Sequence, residues 1–164
     1  MASETVSLRP MSETDYANYV KHSASHYAEE MSRAEDLTIE EATAAAEESF
    51  AKLLPDGFNT ANVWFFFVVD PSERTVGSLW FSKRTNPKRE SKPYAWLCDI
   101  TLNEEARGKG YGRQLMQLLE VEVKKTGLTS LGLHVFGHNK VAAGLYEKSG
   151  FRVTNMIMRK DLGD

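Results

Sequence analysis

"EEARGKGYGRQLMQLLE", residues 104–120, decides how this chain is read. Arg107, Gly108, Lys109, Gly110, Tyr111, Gly112 and Arg113 pack three glycines and three cations into seven positions. A β-rich run, "YAWLCDITL", precedes them, and a helix-like apolar pattern follows. The turn therefore joins a strand to a helix. The first N–H groups of a helix lack an intrahelical partner, and the helix dipole adds partial positive charge there. Glycines let those groups approach a ligand with no side chain in the way. Such a turn can seat phosphate oxygens. Taken alone, it is also a glycine-rich helix start with surface cations. Two phosphate loops are excluded. The dinucleotide fingerprint G-x-G-x-x-G fails because its last position is Arg113. The nucleotide loop G-x-x-x-x-G-K-[ST] does not occur.

Working outward, "TVSLR" alternates and reads as a first strand closed by Pro10. Ser12 with Asp15 approximates a capping box, opening a helix to about Ser32. Thr38 with Glu41 opens a second helix that stops at "PDG". "NVWFFFVVD" and "TVGSLWFSK", joined by "PSER", read as an antiparallel hairpin. "TNPKRESKP" is a polar, basic loop before the fourth strand. The helix after the glycine turn runs from about Gly110 to Lys125. "SLGLHVF" is a fifth strand, "NKVAAGLYEKSG" a short helix and "FRVTNMIMRK" a last strand. The order β-α-α-β-β-β-α-β-α-β predicts a mixed α/β (α+β) domain, not a doubly wound parallel sheet.

A length of 164 residues suits a single domain over 1–164. The longest apolar run, Trp64 to Val69, is too short to span a bilayer. "MASETVSLRP" lacks basic and apolar signal-peptide regions, and the one cysteine, Cys98, fits a reducing cytoplasm. One cysteine and four histidines, with no C-x-x-C pair, are poor material for a metal site. Net charge is −3, which disfavours nucleic acid as partner. The charge is uneven: residues 1–60 hold 12 acids and 4 bases, and residues 61–164 hold 11 acids and 16 bases. This is either a set of solvated helix faces or two halves of a site that prefer ligands of opposite sign.

Two segments carry a family resemblance. "ARGKGYG" contains R-x-x-G-x-G as Arg107, Gly110 and Gly112. "NKVAAGLYEKSGF" contains N-x-x-A-x-x-x-Y-x-x-x-G-F as Asn139, Ala142, Tyr146, Gly150 and Phe151. Together they resemble the hallmark segments of the GNAT superfamily of acyl-CoA-dependent N-acyltransferases, and the strand order agrees. "HYAEE", "GSLWF" and "LHVFGHN" look like a subgroup of small bacterial members with unassigned acceptors.

The resemblance implies splayed fourth and fifth strands with pantetheine in the gap. Ile100, Thr101 and Leu102 would supply the strand edge, by a pairing like β-strand addition. The pyrophosphate of acetyl-CoA, the implied co-substrate, would sit on Arg107 to Arg113. Asn139 and Ala142 would flank the cofactor arm, and Asn139 is also a plausible N-cap. Tyr146 matches the tyrosine that donates a proton to the leaving thiolate; without the motif it reads as a core tyrosine. Asp99 lies beside the expected thioester. Many members carry a Glu-Asp pair there, whereas this chain has Cys98-Asp99. Asp99 could bind the ammonium, relay its proton or satisfy a backbone turn. Cys98 reads as a small buried hydrophobe. His134 and His138 are either proton acceptors or packed side chains.

By the same likeness, His26, Tyr27, Glu29 and Glu30 form one wall of the acceptor pocket. Tyr27 and Glu30 share a helix face. Trp80 and Trp96 could also line it. The implied activity is N-acetylation of a small-molecule or peptide amine, by a monomer or homodimer with no metal, nucleic acid or membrane. The competing expectation is an acyl-CoA-binding sensor without turnover.

Overall fold

The computed structural model describes residues 5–86 and 92–163. Most of the basic loop therefore lies outside the described residues. The two capping boxes fix where the N-terminal helices begin. The Ser12 hydroxyl accepts from the Asp15 N–H and the Asp15 carboxylate accepts from the Ser12 N–H, starting α1 (Glu13–Glu35). Thr38 and Glu41 repeat the exchange at the start of α2 (Ile39–Leu53). Each cap satisfies N–H groups that the helix cannot, worth about 1 kcal/mol.

The sheet has the order β1-β2-β3-β4-β5. Its strands are β1 (Ser7–Pro10), β2 (Val63–Val69), β3 (Thr75–Arg84), β4 (Tyr94–Leu102) and β5 (Leu131–Leu133). Neighbours pair antiparallel up to β4, and β5 joins β4 in parallel. A parallel partner needs a crossover, and α3 (Tyr111–Lys125) lies between the two strands in sequence. Helix α4 (Lys140–Lys148) follows β5. Alternating side chains give the sheet two apolar faces. Phe66, Val68, Leu79, Phe81 and Leu97 pack with Leu115, Met116 and Leu119 of α3 and with Tyr146 of α4. Phe65 and Trp80 pack on the other side with Met11, Tyr19 and Leu54.

One glycine fixes how closely β3 and β4 approach. A Cβ on Gly77 would lie 2.3 Å from the Thr101 carbonyl oxygen, a backbone atom that cannot swing aside. Gly77→Ala must therefore push two paired strands apart. The expected cost is about 1–3 kcal/mol, the range for overpacking, read as a lower urea midpoint with an unchanged slope.

The sequence expectation fails at the C-terminal strands. The run "SLGLHVF" yields only Leu131–Leu133 as strand, because its ladder with β4 ends at Leu97↔Leu133. "FRVTNMIMRK", expected as a sixth strand, has no regular secondary structure, and its residues beyond Phe151 are exposed. β propensity becomes a strand only where another strand pairs with it. No strand flanks the outer edge of β5 among the described residues.

Candidate active site

The site begins with an irregularity in β4. Trp80 of β3 lies opposite Asp99 and Phe81 opposite Leu97, so Cys98 is an extra residue on the bulged strand. A bulge re-aims side chains and disturbs the ladder. Here two consecutive residues turn to the α1 side. The Cys98 Sγ lies 3.4 Å from the Ser82 Oγ. Asp99 Oδ2 accepts hydrogen bonds from the Tyr19 hydroxyl at 2.7 Å and the Ser23 hydroxyl at 2.9 Å.

Asp99 is half-buried, and desolvation raises its carboxyl pKa above the ordinary value. The hydrogen bonds from Tyr19 and Ser23, the charge of His26 and the Ile100 N–H oppose that rise without cancelling it. A raised carboxylate is a better proton acceptor than a solvated one. Tyr19 is itself held protonated, first by burial and then by the charge of Asp99. Burial also pushes the Cys98 thiol up, which removes thiolate character.

Past Leu97 β4 and β5 part, and β4 continues to Leu102 with no ladder to β5. This is the splay expected from the sequence. The Thr101 hydroxyl is engaged with Ser78 at 3.0 Å and its carbonyl faces Gly77 of β3, so Ile100 and Leu102 carry the backbone groups on the gap side. Arg107, exposed, folds back along the chain, its Nε donating to the Leu102 carbonyl at 3.1 Å.

The glycine turn that follows is open. Gly108 and Gly110 have φ of +74° and +79°, the left-handed region that favours glycine, and a Cβ on either would meet nothing within 4 Å. Gly110 is the N-cap of α3 and provides no side-chain hydrogen bond to the first turn. A helix start of this kind can receive an anion, here beside the exposed Lys109 and Arg113. These features fit a pyrophosphate. Gly112 serves packing instead. Its Cβ would come 3.1 Å from Leu145 Cδ2, so the bare glycine lets α3 approach α4. Tyr111 is 2% exposed and anchors the turn in the core, so its side chain is not ligand-facing.

Tyr146 sits on α4, whose first turn is capped by Asn139 Oδ1 accepting from the Ala142 N–H at 3.1 Å. Its ring packs 5.8 Å from that of Phe151. Among the described residues its hydroxyl has no hydrogen-bond partner. Burial first, and the charge of Asp99 second, push its pKa up to about 12. The Asp99 charge thus reaches the Tyr146 phenol.

On the α1 side, Tyr27 packs 6.1 Å from Phe136 and 6.3 Å from Phe50. Glu30 Oε2 lies 2.6 Å from His138 Nε2, tying α1 to the segment after β5. His134 is exposed, edge-on to Phe136 at 4.8 Å. Trp80 departs from expectation. At 1% exposure it belongs to the core beneath Asp99 and does not line a pocket, because Phe50 and Phe65 cover its ring.

Tyr19 and Ser23 join the site although no motif marks them. Their signal is the spacing 19, 23, 27 and 30, which sets Tyr19, Ser23, Tyr27 and Glu30 along one helical stripe.

Comparison with known proteins agrees with this architecture. The model of the acetyltransferase (GNAT) family matches residues 25–151. YycN of Bacillus subtilis, named an uncharacterized N-acetyltransferase, is 34% identical over 96% of this chain and 99% of its own. The crystal structure of YycN superposes with a TM-score of 0.88 at 33% identity, covering 98% of this chain and 100% of that one. A second Bacillus subtilis protein, YdgE, also named an uncharacterized N-acetyltransferase, is 30% identical over 94% of this chain and 97% of its own. The fold is that of an acyltransferase with a splayed mixed sheet. The chain belongs to the acetyltransferase (GNAT) family.

Proposed function

We propose that the protein transfers an acetyl group from acetyl-CoA to a primary amine by direct attack within a ternary complex. The observation that carries this reading is the pairing of Asp99 with Tyr146. Asp99 stands on β4 just past the point where its ladder with β5 ends, and its charge adds to burial in raising the pKa of the Tyr146 phenol. When bound, acetyl-CoA supplies a thioester carbonyl as electrophile and a thiolate as leaving group.

The chain's residues divide the remaining work. The open turn Gly108–Arg113, with Lys109 and Arg113, receives the pyrophosphate on backbone N–H groups. The unpaired β4 edge at Ile100 and Leu102, on either side of Thr101, receives the pantetheine amides. Arg107 holds the Leu102 carbonyl and so shapes that edge. Asn139 and Ala142 fix the start of α4 and thereby the position of Tyr146. Asp99 takes the proton from the incoming ammonium, and the Tyr146 hydroxyl donates to the departing sulfur. Tyr27, Glu30 and His134 border the acceptor side. The acceptor is a small-molecule or peptide amine, and the acidic N-terminal part suits a cation. The reaction runs in the cytoplasm, a compartment that the free thiol of Cys98 suits.

The balanced reaction is amine plus acetyl-CoA giving N-acetylamine plus free CoA thiol. Thiol release should require an amine and be detected by a thiol-reactive dye against polyamines, aminoglycosides, amino acids and short peptides. Acetyl-CoA binding without thiol release from any amine would favour a sensor. Absence of acetyl-CoA binding would sink the reading.

A further inference from the structure

One cation beside the site has no part in the chemistry above. Arg84 ends β3, on the strand face that it shares with Ser82 and Trp80. That face looks toward α1, where Trp80 packs with Tyr19 and where Cys98 and Asp99 turn. The half-buried Arg84 lays its guanidinium over the Trp96 ring of β4, with Cζ 4.5 Å from the ring centroid. Stacking holds a guanidinium by one face and leaves its N–H edge available to a ligand. Three strands build this seat. Trp96 stands opposite Ser82 of β3 and opposite Gly132 of β5. A Cβ on Gly132 would come 3.0 Å from two carbons of the Trp96 ring, so the bare glycine gives the indole its place.

No carboxylate pairs with Arg84 among the described residues. Its neighbour on the sheet is the Cys98 thiol. Burial raises the thiol pKa first of all; hydrogen bonding from Ser82 and the charge of Arg84 oppose that rise, and the charge of Asp99 adds to it. The thiol is thus within reach of a cation and an anion at once. An acidic side chain at position 98 would pair with the guanidinium. Cys98 leaves it available.

Granted the transferase reading on which this rests, we propose that Arg84 binds a carboxylate on the acceptor, and that the acceptor is a short peptide with a free C-terminal carboxylate. The peptide amine then faces Asp99 and its carboxylate meets Arg84. The planar guanidinium fork matches a carboxylate through two parallel hydrogen bonds. One guanidinium balances one negative charge, which suits a carboxylate better than a phosphate dianion. The spacing sets the length. Trp80 lies opposite Asp99 and Ser82 opposite Trp96, so the two ends of the seat are two residues apart along β3, about 7 Å. An α-amino acid carries both groups on one carbon and falls short. A dipeptide is longer by up to about 3.6 Å and spans the two ends.

The test compares glycylglycine, glycylglycinamide and glycine as acceptors, by thiol release from acetyl-CoA, in wild type, Arg84→Gln and Arg84→Lys. Wild type should prefer glycylglycine to its amide by about 10- to 100-fold in kcat/KM, the range for a charge-assisted hydrogen bond, with the difference in KM. Glycine should be the poorer of the two acids. Arg84→Gln should bring the acid-to-amide ratio close to one, and Arg84→Lys should restore part of it. A purely structural Arg84 would change stability and leave the ratio alone. A second readout needs no turnover: calorimetric titration with N-acetylglycylglycine should show binding to wild type that Arg84→Gln removes. Equal use of acid and amide by an active wild type would overturn the proposal and leave the transferase reading standing. So would a preference that survives Arg84→Gln. If no amine releases thiol, the transferase reading falls, and the titration decides: binding that depends on Arg84 upholds the carboxylate seat, and its absence overturns it.

Discussion

Asp99→Asn lowers kcat/KM by about 10²- to 10⁴-fold, the range for a general base, while the folded protein becomes more stable at neutral pH. Both halves follow from the same burial. The Asn side-chain oxygen can still accept from Tyr19 and Ser23, which bond to one carboxylate oxygen. What disappears is a proton acceptor. The stability effect has a definite sign. Desolvation holds the folded-state pKa of Asp99 above its ordinary value. Below the unfolded pKa, about 3.9, both states carry the proton and burial of the carboxyl is unpenalised. As pH rises through the raised folded value, the native state must ionise a desolvated group, and stability is lost. Asn never ionises. The melting temperature of the variant should match wild type in acid and exceed it at neutral pH. Calorimetric scans across that pH series read the gap directly. In the same series, the acid limb of wild-type kcat/KM should rise with ionisation of Asp99 and vanish in the variant. An active Asn variant, with its acid limb intact, would remove Asp99 from proton transfer.

The local grammar of this chain was legible because it rests on short-range physics. Ser12 with Asp15 and Thr38 with Glu41 are three residues apart, and each pair closes within one helical turn. The hairpin β2–β3 follows from two apolar runs and a short turn. The glycine turn was readable because positive φ at Gly108 and Gly110 is a property of single residues. The motif resemblance then pointed to Asp99 and Tyr146.

What escaped depends on distance in sequence. The Tyr19 and Ser23 bonds to Asp99 span 80 and 76 residues, and nothing local to either helix or strand announces them. The bulge at Cys98 is a matter of register between β3 and β4. It also answers the missing partner carboxylate. Where the family resemblance led to the expectation of a second acid, this chain turns Cys98 to Ser82 and gives Asp99 two hydroxyl donors. The failed sixth strand has the same cause. Residues 152–160 have strand composition, but a strand is a relation between two segments, and among the described residues no strand pairs with them.

Tyr146→Phe lowers kcat by about 10²- to 10³-fold, comparable to losing one donor aimed at developing charge, with the fold intact and acetyl-CoA affinity little changed. The ring stays: it is 8% exposed, belongs to the core cluster and contacts Phe151. The hydroxyl has no described partner to abandon. Stability should therefore move by no more than about 0.5 kcal/mol. The raised pKa, about 12, defines what the hydroxyl can do. A thiol near pKa 8.5 is the stronger acid by about 3.5 units, so complete transfer to a free thiolate would cost about 5 kcal/mol. On the proposed mechanism Tyr146 is a neutral donor to sulfur, its proton leaving only as another arrives from the reacting amine. Asp99 favours this division, because its negative charge keeps the phenol protonated while it remains ready to accept. Stopped-flow turnover at saturating amine checks the outcome. Wild-type kcat should stay flat to about pH 10, since a phenol held above its ordinary value has not ionised by then. A decline near pH 8 to 9 that disappears in the Phe variant would show an acidified phenol and overturn the neutral-donor mechanism.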